Sequence, residues 1–182
     1  MSVTADQFVD QCLSECRDLL DRGIQSGNQE TEDRLNHRPI GGEWSPAQVY
    51  VHMTLANTPY ESIVKTGVKT LPAAPGSTEL KHTWFGQKLI TLAGPGSGAP
   101  APKAFVPPDG ALSLSVVDDW ANQFQRIIDL FESCKGKDLN LKFTKNPLIK
   151  LFSMNMADCI GLVTKHTQNH VEQIETRIAS SC

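Results

Sequence analysis

The feature that most constrains the fold is the spacing of apolar residues between positions 117 and 134. Because an α-helix has 3.6 residues per turn, apolar residues separated by steps of three and four share one face. The pattern predicts a long amphipathic helix with Ser115 as its N-cap, acidic residues in its first turn and Gly136 as its end. The residues that form this apolar face are Val117, Trp120, Phe124, Ile127, Phe131 and Cys134.

Two more long helices are predicted near the ends of the chain. The first extends from about Thr4 to Gly23 or slightly beyond, and Thr4 with Gln7 has the form of a capping box. The last begins near Ser153 and ends at about Ile178. Both carry apolar residues at helical spacing, so each is expected to bury one face against the rest of the protein.

A fourth long helix has the strongest start signal in the chain. Ser45 is placed as its N-cap, Pro46 lies at the first helical position, and Gln48 completes a capping box. Trp44 before the cap is expected to pack on the helix as a hydrophobic staple. Pro59 lies inside the span, which predicts a kink or a break there. The residues expected on or near the buried side are Val49, His52, Leu55, Ala56 and Ile63.

Residues 68–110 form the least regular part of the sequence. A short apolar helix is predicted from about Thr78 to Leu92, and a long Gly- and Pro-rich stretch follows it. Such a long crossover suits a bundle that is not a simple up-down-up-down arrangement. We therefore predict an all-α fold, a four-helix bundle with a long crossover loop and a short extra helix, in a single domain over residues 1–182.

Composition and charge argue against several classes of partner. The 182 residues carry a formal net charge of -3, and no stripe of Lys and Arg marks a nucleic-acid interface. No apolar run approaches the roughly 20 residues that a membrane-spanning helix needs. The first ten residues lack the basic and then apolar pattern of a signal peptide, so we expect a cytoplasmic protein. The cysteines are expected to be reduced and mostly in the core; they are Cys12, Cys16, Cys134, Cys159 and Cys182.

Two histidines lie four residues apart on the predicted last helix. This spacing places His166 and His170 one turn apart on one face, where both rings can reach the same ion. Asn169 and Gln173 continue the stripe and are candidates for hydrogen bonds to the ligands or to a substrate. Alone, the pair is better explained as two partly buried histidines bonded to their neighbours.

His52 changes that balance. It lies two turns into the helix that starts at Ser45, among apolar residues, and burying its ring is costly unless the ring nitrogens find partners. Three imidazoles around one divalent metal ion would satisfy all three rings and leave a position open for water or substrate, as in catalytic sites. His37 and His82 are expected to be surface residues.

Two segments resemble the signatures of a known family. Residues 42–53, GEWSPAQVYVHM, resemble the G-x-W-S-x-x-E-V-x-x-H-L signature of the DinB-like (damage-inducible, YfiT-like) superfamily. Residues 166–174, HTQNHVEQI, resemble its H-x-x-x-H-x-x-Q-I element. Gln48 replaces an acidic residue and Met53 a leucine, and neither departure removes a ligand position.

The resemblance implies a four-helix bundle, frequently a homodimer, with a three-histidine site for zinc, nickel or a similar divalent ion. Carried over by position, the ligands are His52, His166 and His170. Some relatives are transferases or isomerases that depend on low-molecular-weight thiols such as mycothiol or bacillithiol, and others have been suggested as metal-dependent hydrolases. The resemblance does not identify the small-molecule substrate.

Three functions are consistent with these residues. The first is a divalent-metal-dependent enzyme, either a thiol-dependent S-transferase with a low-molecular-weight thiol as co-substrate or a hydrolase. No Asp or Glu lies on the histidine stripes, and Glu172 is expected to point away, which favours thiol transfer over hydrolysis with a general base. The alternatives are a non-catalytic metal- or small-ligand-binding module and a scaffold that has lost its metal. The pocket walls are expected to include Trp84, Phe85 or residues of the Pro-rich loop.

Overall fold

Four long helices form the bundle in the computed structural model, which describes residues 2–96, 98 and 100–180. The fold is all-α, as predicted, apart from a two-stranded antiparallel pair, and residues 71–114 form the long crossover between two of the helices. The helices are α1 (Ala5–Asn28), α2 (Glu32–Asn36), α3 (Pro46–Thr70), α4 (Trp84–Ala93), α5 (Ser115–Glu132) and α6 (Met156–Ala179), with a 3-10 turn at Lys103–Phe105 and strands β1 (Thr144–Lys145) and β2 (Ser153–Met154).

The four long helices are arranged as a ring in which α1 and α3 are each packed between α5 and α6. Ion pairs and hydrogen bonds between neighbours give the helix directions. Gln123 on α5 donates to the carbonyl of Thr54, and Arg126 one turn later pairs with Glu61, so α3 and α5 are parallel. Two parallel helices cannot be joined by a short turn, and this explains the long crossover.

The predicted helix starts are correct at α1 and α3 and wrong at α5. Capping boxes form at Thr4 and at Ser45, and a third, at the start of α6, was not predicted. Ser115 is the first helical residue of α5 and not its N-cap, which is Leu114 and provides no side-chain hydrogen bond. Instead, the hydroxyl of Ser113 accepts from the backbone N–H of Ser115.

Pro59 does not break α3, which is continuous from Pro46 to Thr70. A proline at position 59 leaves the carbonyl of Leu55 without its helical partner. Leu55 is 37% exposed, contrary to the prediction that it lies on or near the buried side of the helix. Val49, His52 and Ala56 are buried as expected, and Ile63 is half-buried.

The short extra helix exists but begins later than predicted, at Trp84 and not at Thr78. Residues 79–83 are not helical and are held by bonds to other segments. Glu79 forms a backbone bridge with Thr4, and Asn140 binds both the carbonyl of Glu79 and the N–H of Lys81. Thr83 then caps the helix by accepting from the N–H of Gly86. These long-range bonds cannot be predicted from the periodicity of the apolar side chains.

The apolar stripe on α5 forms the centre of the core, as predicted. Trp120 is fully buried against α1 at Gly23, where any side chain would collide with the indole ring. Tyr50 donates a 2.6 Å hydrogen bond to the carbonyl of the same glycine. The cysteines at positions 12, 16, 134 and 159 are free and buried, as expected, while Cys182 lies outside the described residues. Within the described chain, each helix is too short or too polar to cross a membrane.

Candidate metal centre

Three histidine rings from two helices meet on the inner side of the bundle. His52 lies on α3, and His166 and His170 lie one turn apart on α6, which packs against α3. The Nε2 atom of His166 is 3.2 Å from Nε2 of His52 and 3.1 Å from Nε2 of His170. The structure thus brings together the three residues that the sequence singled out, and their ligand atoms all lie within 4.8 Å of one another.

The outer nitrogens of two rings are held by acceptors. Nδ1 of His52 donates to the backbone carbonyl of Phe105 at 2.7 Å, and Nδ1 of His170 donates to Oε1 of Gln173 at 3.0 Å. An imidazole that donates from Nδ1 and is neutral carries its lone pair on Nε2. Both rings therefore present an unprotonated Nε2 to the centre of the cluster.

This arrangement fits a divalent metal ion. The Nε2 atom of His166 carries at most one proton, so it can donate to only one of the two lone pairs that face it. A cation among the three nitrogens would accept a lone pair from each ring and remove this conflict. In a tetrahedral zinc site with bonds of about 2.0–2.1 Å, ligand atoms are about 3.3 Å apart, close to the two separations measured here.

Burial favours the neutral form of all three rings. Desolvation lowers the pKa of His52, partly opposed by the hydrogen bond to the Phe105 carbonyl. Desolvation also lowers the pKa of His166 well below its usual value, and the nearby His170 and His52 lower it further. Desolvation by burial is also the main reason that the pKa of His170 falls to about 3. Neutral imidazole is the form that binds metal, so protons compete little with a metal ion near neutral pH.

These lowered pKa values predict that the metal-free protein loses stability in acid. The unfolded chain binds protons at histidine near pH 6.5, while the folded centre resists them, so stability is full above about pH 6.5 and falls below it. Each pH unit below 6.5 is expected to cost up to about 1.4 kcal/mol for a histidine such as His170. Denaturant unfolding in chelator from about pH 7 to 4.5 measures this, and a smaller slope is expected for His170→Asn. Equal slopes would contradict the prediction.

Gln173 and Asn169, the two predicted neighbours of the ligands, form a short relay behind His170. Gln173 accepts from His170 through Oε1, and its Nε2 donates to Oδ1 of Asn169 at 3.3 Å. The relay orients the amide so that its oxygen faces the ring. The sequence did not distinguish whether these two residues support the ligands or bind a substrate. Both line the cavity described below.

Replacement of Gln173 by leucine is expected to weaken metal binding by about 10–100-fold, because His170 loses the acceptor that fixes its tautomer and orientation. Competition with a chromophoric chelator measures the affinity. Gln168→Leu is a matched control on the same helix, since Gln168 bonds to Glu172 and Lys165 and not to a histidine. Equal affinities for the two variants would show that the relay does not support the centre.

The histidines open into a cavity of about 520 Å³ between α3, α6 and the crossover. Most of its wall is apolar, and the Pro-rich loop contributes as expected, through Pro100 and Pro102 among others. The predicted alternatives are not in the wall: the Trp84 side chain is 69% exposed, and Phe85 stacks on Phe152. Trp44, expected only as a staple, also contacts the ring of His52, with 4.8 Å between ring centroids.

Charged groups are scarce around this cavity. Among the described residues that line it, Glu43 is the one carboxylate, and its Oε2 pairs with Arg177 at 3.4 Å. Glu172 accepts from Gln168 and is not part of the cavity wall, in line with the expectation that it points away.

One of the two remaining histidines differs from its prediction. His37 is exposed, as expected, but His82 is half-buried and donates from Nδ1 to the fully buried carboxylate of Asp158. The Phe105 carbonyl was also not foreseen. A backbone acceptor carries no signal in the residue type, so the partner of His52 could not have been named from the sequence.

Comparison with known proteins identifies the family of this chain. The family model described as the DinB superfamily matches residues 13–174, which include all three histidines and both signature segments. No curated protein matches the chain. No solved structure matches it either. Since the family match covers most of the sequence, the chain belongs to the DinB superfamily.

Proposed function

We propose that this protein is a divalent-metal-dependent S-transferase that joins a low-molecular-weight thiol to a small electrophile, with His52, His166 and His170 as the metal ligands. The observation that carries the proposal is the convergence of three Nε2 atoms at the edge of a largely apolar cavity. Three imidazole ligands would leave a fourth ligand position on the ion open, and the cavity gives a small molecule access to it. When bound, the ion would supply positive charge that favours the thiolate form of a thiol near neutral pH.

Zinc and nickel both suit a set of neutral imidazole nitrogens. The donors include no thiolate and no carboxylate, so the charge of the ion stays uncompensated by the protein ligands. A thiolate in the fourth position would supply one negative charge to this centre. The donor set therefore favours an anion over a neutral ligand at that position, and a thiolate meets this requirement.

The four cysteines of the described residues are poorly suited to supply the thiol. Desolvation raises the pKa values of Cys12, Cys16 and Cys134 to about 12, so these side chains stay protonated near neutral pH. Burial also raises the pKa of Cys159, which is fully buried. None of these four cysteines, which are those of the described residues, belongs to the cavity wall.

The scarcity of bases favours thiol transfer over hydrolysis. Activation of water normally uses a carboxylate or histidine close to the ion. Glu43 is engaged by Arg177, and two of the three histidines already donate from Nδ1 to other acceptors. A thiol loses its proton far more readily than water does, so the S–H proton can pass to buffer without a dedicated base in the protein.

A turnover assay tests the proposal. Protein loaded with one equivalent of zinc or nickel is incubated with 1-chloro-2,4-dinitrobenzene and, in turn, cysteine, coenzyme A, glutathione, bacillithiol or mycothiol. In the expected reaction the S–H proton passes to buffer, the new C–S bond forms and chloride leaves. The proposal requires metal-dependent conjugation with at least one thiol and its loss in His52→Ala.

Other results would assign a different function. Thiol-independent cleavage of an ester panel would make the protein a hydrolase. Stable metal binding without turnover of either panel would favour the metal- or ligand-binding module, for which the largely apolar cavity is the supporting observation. Failure to bind either metal would leave the scaffold hypothesis.

A further inference from the structure

The wall of the cavity includes a buried amide whose N–H group has no acceptor among the described residues. Asn57 lies on the buried stripe of α3 that also includes Met53, Tyr60 and Val64, and it is the polar exception among mostly apolar residues. Its side chain is 1% exposed, yet its Nδ2 has no hydrogen-bond partner among the described residues. A buried amide without a partner costs about 1–3 kcal/mol and calls for an explanation.

Tyr60 lies one helical turn from Asn57 and lines the same cavity. Its hydroxyl accepts from Nδ2 of Asn146 at 3.2 Å, so its own proton remains available to a further acceptor. Burial raises the pKa of Tyr60 strongly, and the hydroxyl therefore stays a donor at all physiological pH values. Asn57 and Tyr60 therefore bring two uncommitted donors, an N–H and an O–H, to the wall of one cavity.

The position of Asn57 and Tyr60 relative to His52 sets the length of a molecule that could reach both the histidines and this pair. Asn57 is five residues beyond His52 on α3, which is about 7–8 Å along the helix axis, and Tyr60 is about 12 Å beyond it. Ala56, Leu162 and Val163 supply apolar wall in the same cavity. A bound molecule could therefore place one end at the histidines, an apolar body along the wall and an acceptor at Asn57.

The charges of the cavity favour a neutral acceptor. The charged wall residues of the described chain are Glu43, Arg177 and the titratable histidines, and Glu43 and Arg177 pair with each other. The helices α3 and α6 are antiparallel, since Gly67 contacts Met156 while His52 contacts His166. Arg177 lies beyond the histidines on α6 and Asn57 lies beyond His52 on α3. The two residues are therefore towards opposite ends of the cavity. A carboxylate buried beside Asn57 would have no cation to compensate it.

We infer that Asn57 and Tyr60 form a subsite for a neutral carbonyl or amide oxygen, so that the substrate is an uncharged, largely apolar electrophile carrying such a group about 7–12 Å from its reacting atom. That the bound molecule is an electrophile rests on the proposed function, while the subsite itself depends only on the residues of the cavity. It explains why a destabilising amide is placed in the core: the ligand supplies the missing partner.

Binding of three matched probes tests the subsite without turnover. They are 2-acetylnaphthalene, 2-ethylnaphthalene and 2-naphthoate, which share one apolar body and differ in carrying a neutral carbonyl, no acceptor or a charge. Metal-free protein is used first, so that no probe can bind through an ion. Titration followed by calorimetry is expected to show the ketone binding about tenfold more tightly than either of the other two.

Variants separate the subsite from general packing. Asn57→Leu should reduce the preference for the ketone to about twofold or less, leave the affinity for 2-ethylnaphthalene within about twofold, and maintain or raise the melting temperature. Tyr60→Phe should reduce the preference partially. Gln123→Leu is the matched control: Gln123 is also a buried amide, but its Nε2 already bonds to Thr54 and Thr58, and the residue lies outside the cavity wall. It should lower the melting temperature and keep the preference.

The outcomes also distinguish this inference from the proposed function. Equal affinities of wild-type protein for ketone and hydrocarbon, or an unchanged preference in Asn57→Leu, would show that Asn57 holds only a water molecule and would overturn the subsite. Tighter binding of the naphthoate would overturn the neutral substrate class. A carbonyl preference in the metal-free protein together with no thiol transfer in the loaded protein would leave the subsite standing and refute the transferase.

Discussion

Replacement of His166 by alanine is expected to abolish stoichiometric metal binding. The Nε2 of His166 is the shared neighbour of the other two ligand nitrogens, at 3.2 and 3.1 Å, so its loss leaves two ligands that no longer enclose an ion. Loss of a group that only supports a ligand costs about 10–100-fold in affinity, and loss of the ligand itself should cost more than about 100-fold. Elemental analysis of purified protein should show about one ion per chain in wild type and background in the variant.

The same substitution should leave the metal-free protein almost unchanged in stability. His166 is partly buried at the edge of an existing cavity, so its truncation enlarges that cavity and creates no closed void. It also removes the conflict between facing lone pairs. We expect the free energy of unfolding in chelator to change by less than about 1 kcal/mol.

Thermal melting with and without metal separates loss of a ligand from loss of the fold. A metal concentration about 100 times the dissociation constant stabilises the folded protein by about 2.7 kcal/mol, or roughly 5–10 °C for a chain of this size. This increase should be present in wild type and in His37→Ala, a matched control at an exposed histidine, and absent in His166→Ala. A variant that keeps wild-type metal content would exclude His166 as a ligand.

The three histidines could be found from sequence because helical spacing and capping fix which face they occupy. Ser45 and Gln48 locate the start of α3, and this places His52 on the buried side; the four-residue separation of His166 and His170 places their rings together. Both inferences depend on local rules that hold wherever the helix lies in the fold. The α5 stripe was predictable for the same reason.

Features that depend on contacts distant in sequence could not be predicted. The carbonyl that orients His52 belongs to Phe105, 53 residues away in the crossover, and any residue type could supply it. The start of α4 and the environment of His82 are decided by residues of α6 and of the loop before it. Periodicity identifies the face that a residue occupies but not the segment that will cover it.

The crossover is therefore part of the centre and not a passive connection. Phe105 lines the cavity and at the same time holds Nδ1 of His52 through its carbonyl, so the segment that encloses a ligand also orients a proposed metal ligand. Leu89 and Ala93 of α4 belong to the same wall. What secures α4 to the bundle consequently matters for the cavity as well as for stability.

The carboxylate of Asp158 secures α4, and its removal is expected to cause a large loss of stability. Asp158 is completely buried in the first turn of α6. It accepts from the hydroxyl of Thr83 at 2.6 Å, from the Thr83 N–H at 3.0 Å, from Nδ1 of His82 at 3.2 Å and from the Asn155 N–H at 3.2 Å. Gly86 lies directly against it, where a side chain would collide with the carboxylate.

Asp158→Ala should lower the free energy of unfolding by about 3–5 kcal/mol, since it leaves four donors without their acceptor and removes a negative charge from a helix N-terminus. Urea unfolding measures the loss. Asp118→Ala, which removes an exposed carboxylate from the first turn of α5, is the matched control and should cost no more than about 1 kcal/mol. Because α4 would be released from α6, the folded fraction of Asp158→Ala should also bind 2-ethylnaphthalene more weakly, while the control keeps wild-type affinity. Similar losses of stability in both variants would show that Asp158 acts only through the helix dipole and that the bonds to Thr83 and His82 do not hold α4 in place.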